Sequence, residues 1–269
     1  MERIRAAIEK ARELREAEDT QKLLRMERSA NLDQGLWHAL SPFELKPRQL
    51  HRNRIVTESV KDPARASFNV LRTRVLSACR KNNWNVIGVT SPTSGCGKTV
   101  TSVNLAFSMA RQRSMRAVLM DADLRKPMVG QLLGVDEDHS MERFLTGGER
   151  IEDHFVRYRN TLAIGTHKGP SPISAEVLQD PAAATAMEDL LQALVPDIVI
   201  VDLPPMKAGD DTLAFLPNVD AMLIVAAAEQ STTKEIDTCE RELAEQTNIL
   251  GVVLNKCRYS GQTAKDVYY

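Results

Sequence analysis

Nine residues constrain this chain more than any others. They are Ser91-Pro92-Thr93-Ser94-Gly95-Cys96-Gly97-Lys98-Thr99. An apolar run, Val86-Ile87-Gly88-Val89, leads into them, and a helical pattern over residues 101–111 leads out. A strand, a glycine-containing loop ending in Gly-Lys-Thr and a helix are the layout of a phosphate-binding loop, which is at home in an α/β sheet. The strict pattern asks for a glycine five positions before Gly97. Pro92 stands there, so a pattern search alone passes over the site.

The rest of the chain agrees with that layout. Short apolar runs over 85–89, 117–120, 161–165, 197–201, 221–226 and 250–254 alternate with helical stretches over 98–113, 129–133, 141–145, 174–195, 212–216 and 232–245. Continuous apolar strands need cover on both faces, which predicts a doubly wound, mainly parallel sheet with helices on each side. Ligands in such sheets sit at the carboxyl ends of strands. Gly95, Asp121, Asp202 and Asn255 all fall at such ends.

An arm precedes this domain. Over residues 2–28, Ile4, Ala7, Ile8, Ala11 and Leu14 make a narrow apolar stripe on a charged helix, which buries too little to stand alone. Residues 29–50 read as a linker carrying Pro42 and Pro47. The expected organisation is a helical arm and linker over 1–50, a nucleotide-binding domain over 51–258 and a polar tail over 259–269.

Composition narrows the function. A net charge of −1 gives no global field for nucleic acid or an anionic membrane. No apolar stretch reaches the roughly 18–20 residues that span a bilayer. The start, Met1-Glu2-Arg3-Ile4-Arg5, is too charged for a secretory signal. Cys79, Cys96, Cys239 and Cys257 lie far apart, which predicts a reducing, cytoplasmic setting without a disulfide framework.

The backbone N–H groups of residues 94–100 (Ser94, Gly95, Cys96, Gly97, Lys98, Thr99 and Val100) can cradle a β-phosphate at a helix N-terminus. Lys98 would neutralise β/γ charge, and Thr99 would offer its hydroxyl to Mg²⁺. Asp202 closes the run Ile198-Val199-Ile200-Val201 and is placed to hold Mg²⁺ directly or through water. Asp121 and Asp123 close another run; one can accept a proton while the other supports the metal. Asp123 could equally cap the next turn. Arg125 and Lys126 either steady phosphate oxygens or stay solvated. Asn255 either reads an adenine edge or forms a turn. Cys96 is either a redox switch or a tolerated loop residue.

Ser91–Thr99, then Val118-Leu119-Met120-Asp121-Ala122-Asp123-Leu124-Arg125-Lys126-Pro127, then Ile198–Pro205 and a tyrosine-bearing tail resemble the bacterial tyrosine kinases of capsule and exopolysaccharide synthesis. The likeness runs from about Pro63 to Tyr269. Related ATPases of the MinD/ParA type share parts of it, but their signature lysine would fall at Thr93. The resemblance implies MgATP-dependent autophosphorylation in trans. Lys98 and Thr99 would bind MgATP, Asp121 would be the base, Asp123 and Asp202 would serve the metal, and Tyr259, Tyr268 and Tyr269 would be acceptors. It implies recruitment to the inner face of the plasma membrane by a separate polysaccharide co-polymerase. The family's Glu-x-x-Arg-x-x-Arg subunit-contact motif maps onto Ala66, Asn69 and Arg72, so its last position alone is kept.

Overall fold

The computed structural model describes residues 35–46, 52–58, 62, 64–112, 114–135 and 138–257. The arm helix expected over 2–28 and the tail tyrosines Tyr259, Tyr268 and Tyr269 lie outside them. Two units are distinguished, Met1–Ala39 and Leu40–Tyr269. In the first, the described element is the short helix α1 (Gly35–Ala39).

The second unit is built on an eight-stranded sheet. In chain order its elements are β1 (Ser41–Pro42), α2 (Ala64–Asn82), β2 (Val86–Thr90), α3 (Lys98–Ala110), β3 (Ala117–Asp121), α4 (Val129–Leu133), α5 (Met141–Leu145), α6 (Ile151–His154), β4 (Phe155–Tyr158) and β5 (Leu162–Gly165). Then come α7 (Ser174–Gln179), α8 (Pro181–Leu194), β6 (Ile198–Asp202), α9 (Asp211–Phe215), β7 (Ala221–Ala227), α10 (Thr233–Ala244) and β8 (Asn248–Asn255). The strand order is β1-β4-β5-β3-β6-β2-β7-β8. All neighbours pair in parallel except β4 with β5. The mainly parallel α/β sheet expected from the apolar runs is therefore present.

The inner strands β2, β3, β6 and β7 are buried along their whole length, as a sheet covered on both faces requires. Helix α3 is buried on nearly every side, and its polar residues bond inward. Ser102 Oγ donates to the Lys98 carbonyl (3.0 Å), and Asn104 Nδ2 donates to the Val100 carbonyl (2.8 Å). Helix α2 leans on it, and Arg72 Nη1 donates to the Ser108 carbonyl (2.9 Å). Arg72, the retained contact-motif residue, is thus engaged within its own chain.

Four details depart from the sequence expectation. The first is the strand β4, which follows α6 and joins β5 through a turn whose Arg159 has φ 54°. That conformation favours glycine or asparagine, so an arginine there left no turn signal. The second is a break in the helix expected over 174–195. Asp180 is extended (ψ 134°) and accepts from Ala182 N (2.8 Å), with Pro181 opening α8. A residue before proline is pushed out of the helical region, and an aspartate there caps the next helix. The third is β8, where cover is one-sided: Val252 and Leu254 on this edge strand are 49% and 60% exposed. Finally, Ser41 and Pro42, expected in a linker, pair with Val156 and Arg157 of the sheet.

Candidate active site

β2 delivers the chain to the loop, and α3 carries it away at Lys98. Gly95 and Gly97 turn the loop with φ of 83° and 90°, in the left-handed region that side chains resist. Gly97 also lies against the Asn255 amide, so a Cβ there would collide with it. Asn255, at the end of β8, donates from Nδ2 to the Cys96 carbonyl (2.9 Å). It braces the loop from the side of the last strand. Pro92 is buried, and its carbonyl accepts from Lys207 N (3.2 Å).

The charged groups meet behind the loop. Lys98 Nζ lies 2.6 Å from Asp123 Oδ2 and 3.5 Å from Asp202 Oδ2. It also reaches Thr99 Oγ1 at 3.3 Å. Burial alone would lower the Lys98 pKa, but the charges of Asp202 and Asp123 hold it above the ordinary lysine value. Asp202 accepts from Ser102 Oγ (2.9 Å) through Oδ1, while Oδ2 is buried without a hydrogen-bond donor. Burial pushes the Asp202 carboxyl up, against the pull of Lys98.

Asp121 occupies the matching position on β3. Its Oδ2 accepts from Met128 N (3.0 Å) and Val129 N (2.9 Å), capping α4. Its Oδ1 is buried and has no partner. Burial, then the Asp202 charge, holds its pKa well above the usual carboxylate range. Asp123 accepts from Lys126 N through Oδ1 (3.0 Å) while its other oxygen takes Lys98. Asp123 thus caps the next turn, the first of its alternatives, and also pairs with Lys98.

The structure brings Lys98, Thr99, Asp121, Asp123 and Asp202 together at the ends of β2, β3 and β6. Ser94 and Gly95 are exposed at the loop's mouth, and Val100 is half-buried. Cys96 is buried, with Sγ 3.5 Å from both Thr93 Oγ1 and Ser231 Oγ. Burial would raise its pKa, but those hydroxyl contacts outweigh it and leave the thiol lowered. Sequence reasoning missed Ser102. Its signal was the four-residue step from Lys98, which places both on one helix face. It also missed Asp211, for which no local pattern speaks.

Among the described residues, no group of three or more His, Cys, Asp or Glu side chains converges as a metal cage. Two carboxylates and a threonine hydroxyl with surplus negative charge nevertheless fit Mg²⁺, which takes few protein ligands and shares its shell with phosphate and water.

A strand-end loop with these carboxylates defines a P-loop nucleotide-binding site. A family model described as ParA, NUBPL iron-transfer P-loop NTPase, matches residues 82–269. The chain belongs to this P-loop NTPase family, and the relatives it matches include bacterial tyrosine kinases. A candidate tyrosine-protein kinase, EpsB of Ralstonia nicotianae, is 33% identical over 199 residues, 72% of this chain and 26% of EpsB. The tyrosine-protein kinase CpsD of Streptococcus pneumoniae is 29% identical over 200 residues, 70% of this chain and 82% of CpsD. The solved kinase domain of the Escherichia coli tyrosine kinase ETK aligns with a TM-score of 0.68 and 26% identity, covering 78% of this chain and 82% of that one. The chain thus spans about a quarter of EpsB but most of CpsD. Nucleotide binding follows from the P-loop NTPase fold. Among the described residues no helix is long and apolar enough to cross a membrane.

Proposed function

We propose that this chain transfers the γ-phosphoryl group of ATP to tyrosines 259, 268 and 269 of a neighbouring copy. The observation that carries the reading is Asp121 Oδ1, a buried carboxylate oxygen with no donor, set beside the Lys98–Asp123–Asp202 cluster. A base needs an unoccupied oxygen and a pKa raised toward working pH. The names of the relatives, tyrosine-protein kinases, support the acceptor class.

The residues divide the work as follows. The loop N–H groups of Ser94–Val100 bind the phosphates, and Lys98 faces their β and γ oxygens. Thr99, Asp123 and Asp202 would hold Mg²⁺, which supplies positive charge against the triphosphate. Asn255 fixes the loop through the Cys96 carbonyl and would meet the base. A tyrosine hydroxyl oxygen then bonds to the γ-phosphorus as the bond to the β–γ bridging oxygen breaks. ADP keeps that electron pair, and the phenolic proton passes to Asp121.

The same proposal includes the three-part organisation at residues 50 and 258, and self-association for transfer in trans. It places the protein in the cytoplasm, brought to the inner membrane face by a polysaccharide co-polymerase whose polymerisation and export activity it regulates.

A ParA-type ATP switch is the second reading, favoured by the family match itself. Thr93, where such switches carry a lysine, counts against it. Following radiolabelled γ-phosphate separates the two. The kinase reading requires label on tyrosine, lost on changing Tyr259, Tyr268 and Tyr269 to Phe. Hydrolysis alone, indifferent to those changes, supports the switch.

A further inference from the structure

We propose that Arg125 is a phosphoryl-facing cation of this site, held in place by Asp211; the inference rests on the phosphoryl-transfer reading above.

The need is electrostatic. Among the described residues Lys98 is the one cation inside the cluster, and Asp123 and Asp202 already claim it, with Asp121 close behind. An incoming triphosphate brings more negative charge than Lys98 and one divalent ion can balance, and transfer spreads that charge over the γ oxygens.

Arg125 is built to supply the rest. It lies within the turn that Lys126 N closes on Asp123, two residues beyond Asp123. Its Nε donates to Asp211 Oδ2 at 2.7 Å. The two ends of that pair differ sharply: the Asp211 side chain is 1% exposed, the Arg125 side chain 46%. The carboxylate is buried for the sake of an arginine whose outer edge stays open. Among the described residues neither Nη atom makes a hydrogen bond.

The anchor is costly, which argues against an incidental surface pair. Asp211 Oδ1 is buried without a partner, and a buried pair so under-satisfied is a weak source of stability. Room for the pair is made by Gly209, where a Cβ would lie 2.7 Å from Asp211 Oδ2 and 2.9 Å from Arg125 Nη2. The loop that carries Gly209 and Asp211 is also sewn to the phosphate-binding loop. Met206 N donates to the Ser91 carbonyl (2.9 Å) and Lys207 N to the Pro92 carbonyl (3.2 Å). Thr90 Oγ1 and Thr212 Oγ1 both donate to the Pro204 carbonyl, at 2.6 and 2.7 Å. Arg125 is therefore fixed to the same frame as the phosphate cradle. A lysine would lose the fork that lets one edge bind Asp211 while the other meets phosphate.

The test uses the full chain with Arg125→Gln, Arg125→Lys and Asp211→Asn. Turnover of the γ-phosphoryl group, to tyrosine or to water, is measured at saturating MgATP, with the affinity for MgADP and the melting temperature measured alongside. Arg125→Gln should lose about 100-fold in turnover, the scale of removing one charge-stabilising donor. MgADP affinity should stay within about threefold, because ADP lacks the group that Arg125 faces. Arg125→Lys should recover little of the loss, and Asp211→Asn should fall in the same direction. Arg125→Gln turning over at the wild-type rate, or losing MgADP binding as much as turnover, overturns the inference. Because transfer to water is counted too, Arg125 is tested even if no phosphotyrosine forms; that second result would sink the kinase reading by itself.

Discussion

Asp121 and Asp202 stand directly opposite each other, paired in register across β3 and β6, and both are fully buried. Burial raises both pKa values, and at Asp121 the neighbouring Asp202 charge adds to the rise. The sheet thus holds two carboxyls with a disfavoured charged form at the ends of neighbouring strands.

Replacing Asp121 with Asn removes that repulsion while keeping an oxygen to cap α4. The variant should be at least as stable as wild type, with a gain of about 1 kcal/mol or less at neutral pH. Its transfer rate should fall about 100-fold or more, the usual worth of a general base. Thermal melting and a phosphotransfer assay check the two halves separately. A variant both stable and active would remove Asp121 from the role of base.

The brace between Asn255 and the Cys96 carbonyl should be felt in nucleotide affinity. Asn255→Ala leaves that carbonyl without its donor and frees the loop, at a cost of about 1–3 kcal/mol. MgADP binding should weaken by about tenfold, as 1.4 kcal/mol implies. Isothermal titration calorimetry reads it, and unchanged affinity would show that the loop holds its shape unaided.

Acid lability should originate away from the site, at His154. This residue is fully buried, with Nδ1 3.2 Å from Glu149 Oε2 and its ring stacked on Phe144. Burial first, then His139, His167 and Arg143, lowers its pKa from 6.5 to about 3. Those effects outweigh the Glu149 carboxylate, so the ring is neutral and donates through Nδ1–H. Its folded pKa lies below its unfolded one, so the unfolded chain binds the extra proton between those values. The contribution to stability is complete above pH 6.5 and is lost as pH falls toward 3. Chemical denaturation should show a slope of up to about 1.4 kcal/mol per pH unit from this one group. His154→Phe should flatten that slope; an unchanged slope would place the acid sensitivity elsewhere.

Most of the fold could be read in the sequence because its strands are short apolar runs, three of them, β3, β6 and β8, ending in Asp121, Asp202 and Asn255. Asp121 and Asp202 were legible as strand-end carboxylates, and Lys98 as the loop's cation. What escaped depended on tertiary placement. The β4–β5 turn hides behind Arg159, which adopts a conformation no local rule assigns to arginine. Asp211 becomes meaningful only once the chain returns it to Arg125, 86 residues away. Val252 and Leu254 read as core because their sequence does not reveal that β8 is the edge. The break at Asp180-Pro181 was visible as a cap before a proline, but the apolar pattern on each side masked it.

The central claim is that ATP bound by one copy phosphorylates the tail of another. Two full-length variants of different tag size test it. One carries Lys98→Met and intact tyrosines; the other keeps Lys98 but has Tyr259, Tyr268 and Tyr269 changed to Phe. The two are mixed with MgATP, then blotted for phosphotyrosine. The account predicts signal on the Lys98→Met chain in the mixture and on neither variant alone. A mixture without phosphotyrosine, while wild type under the same conditions carries it, would contradict transfer between copies.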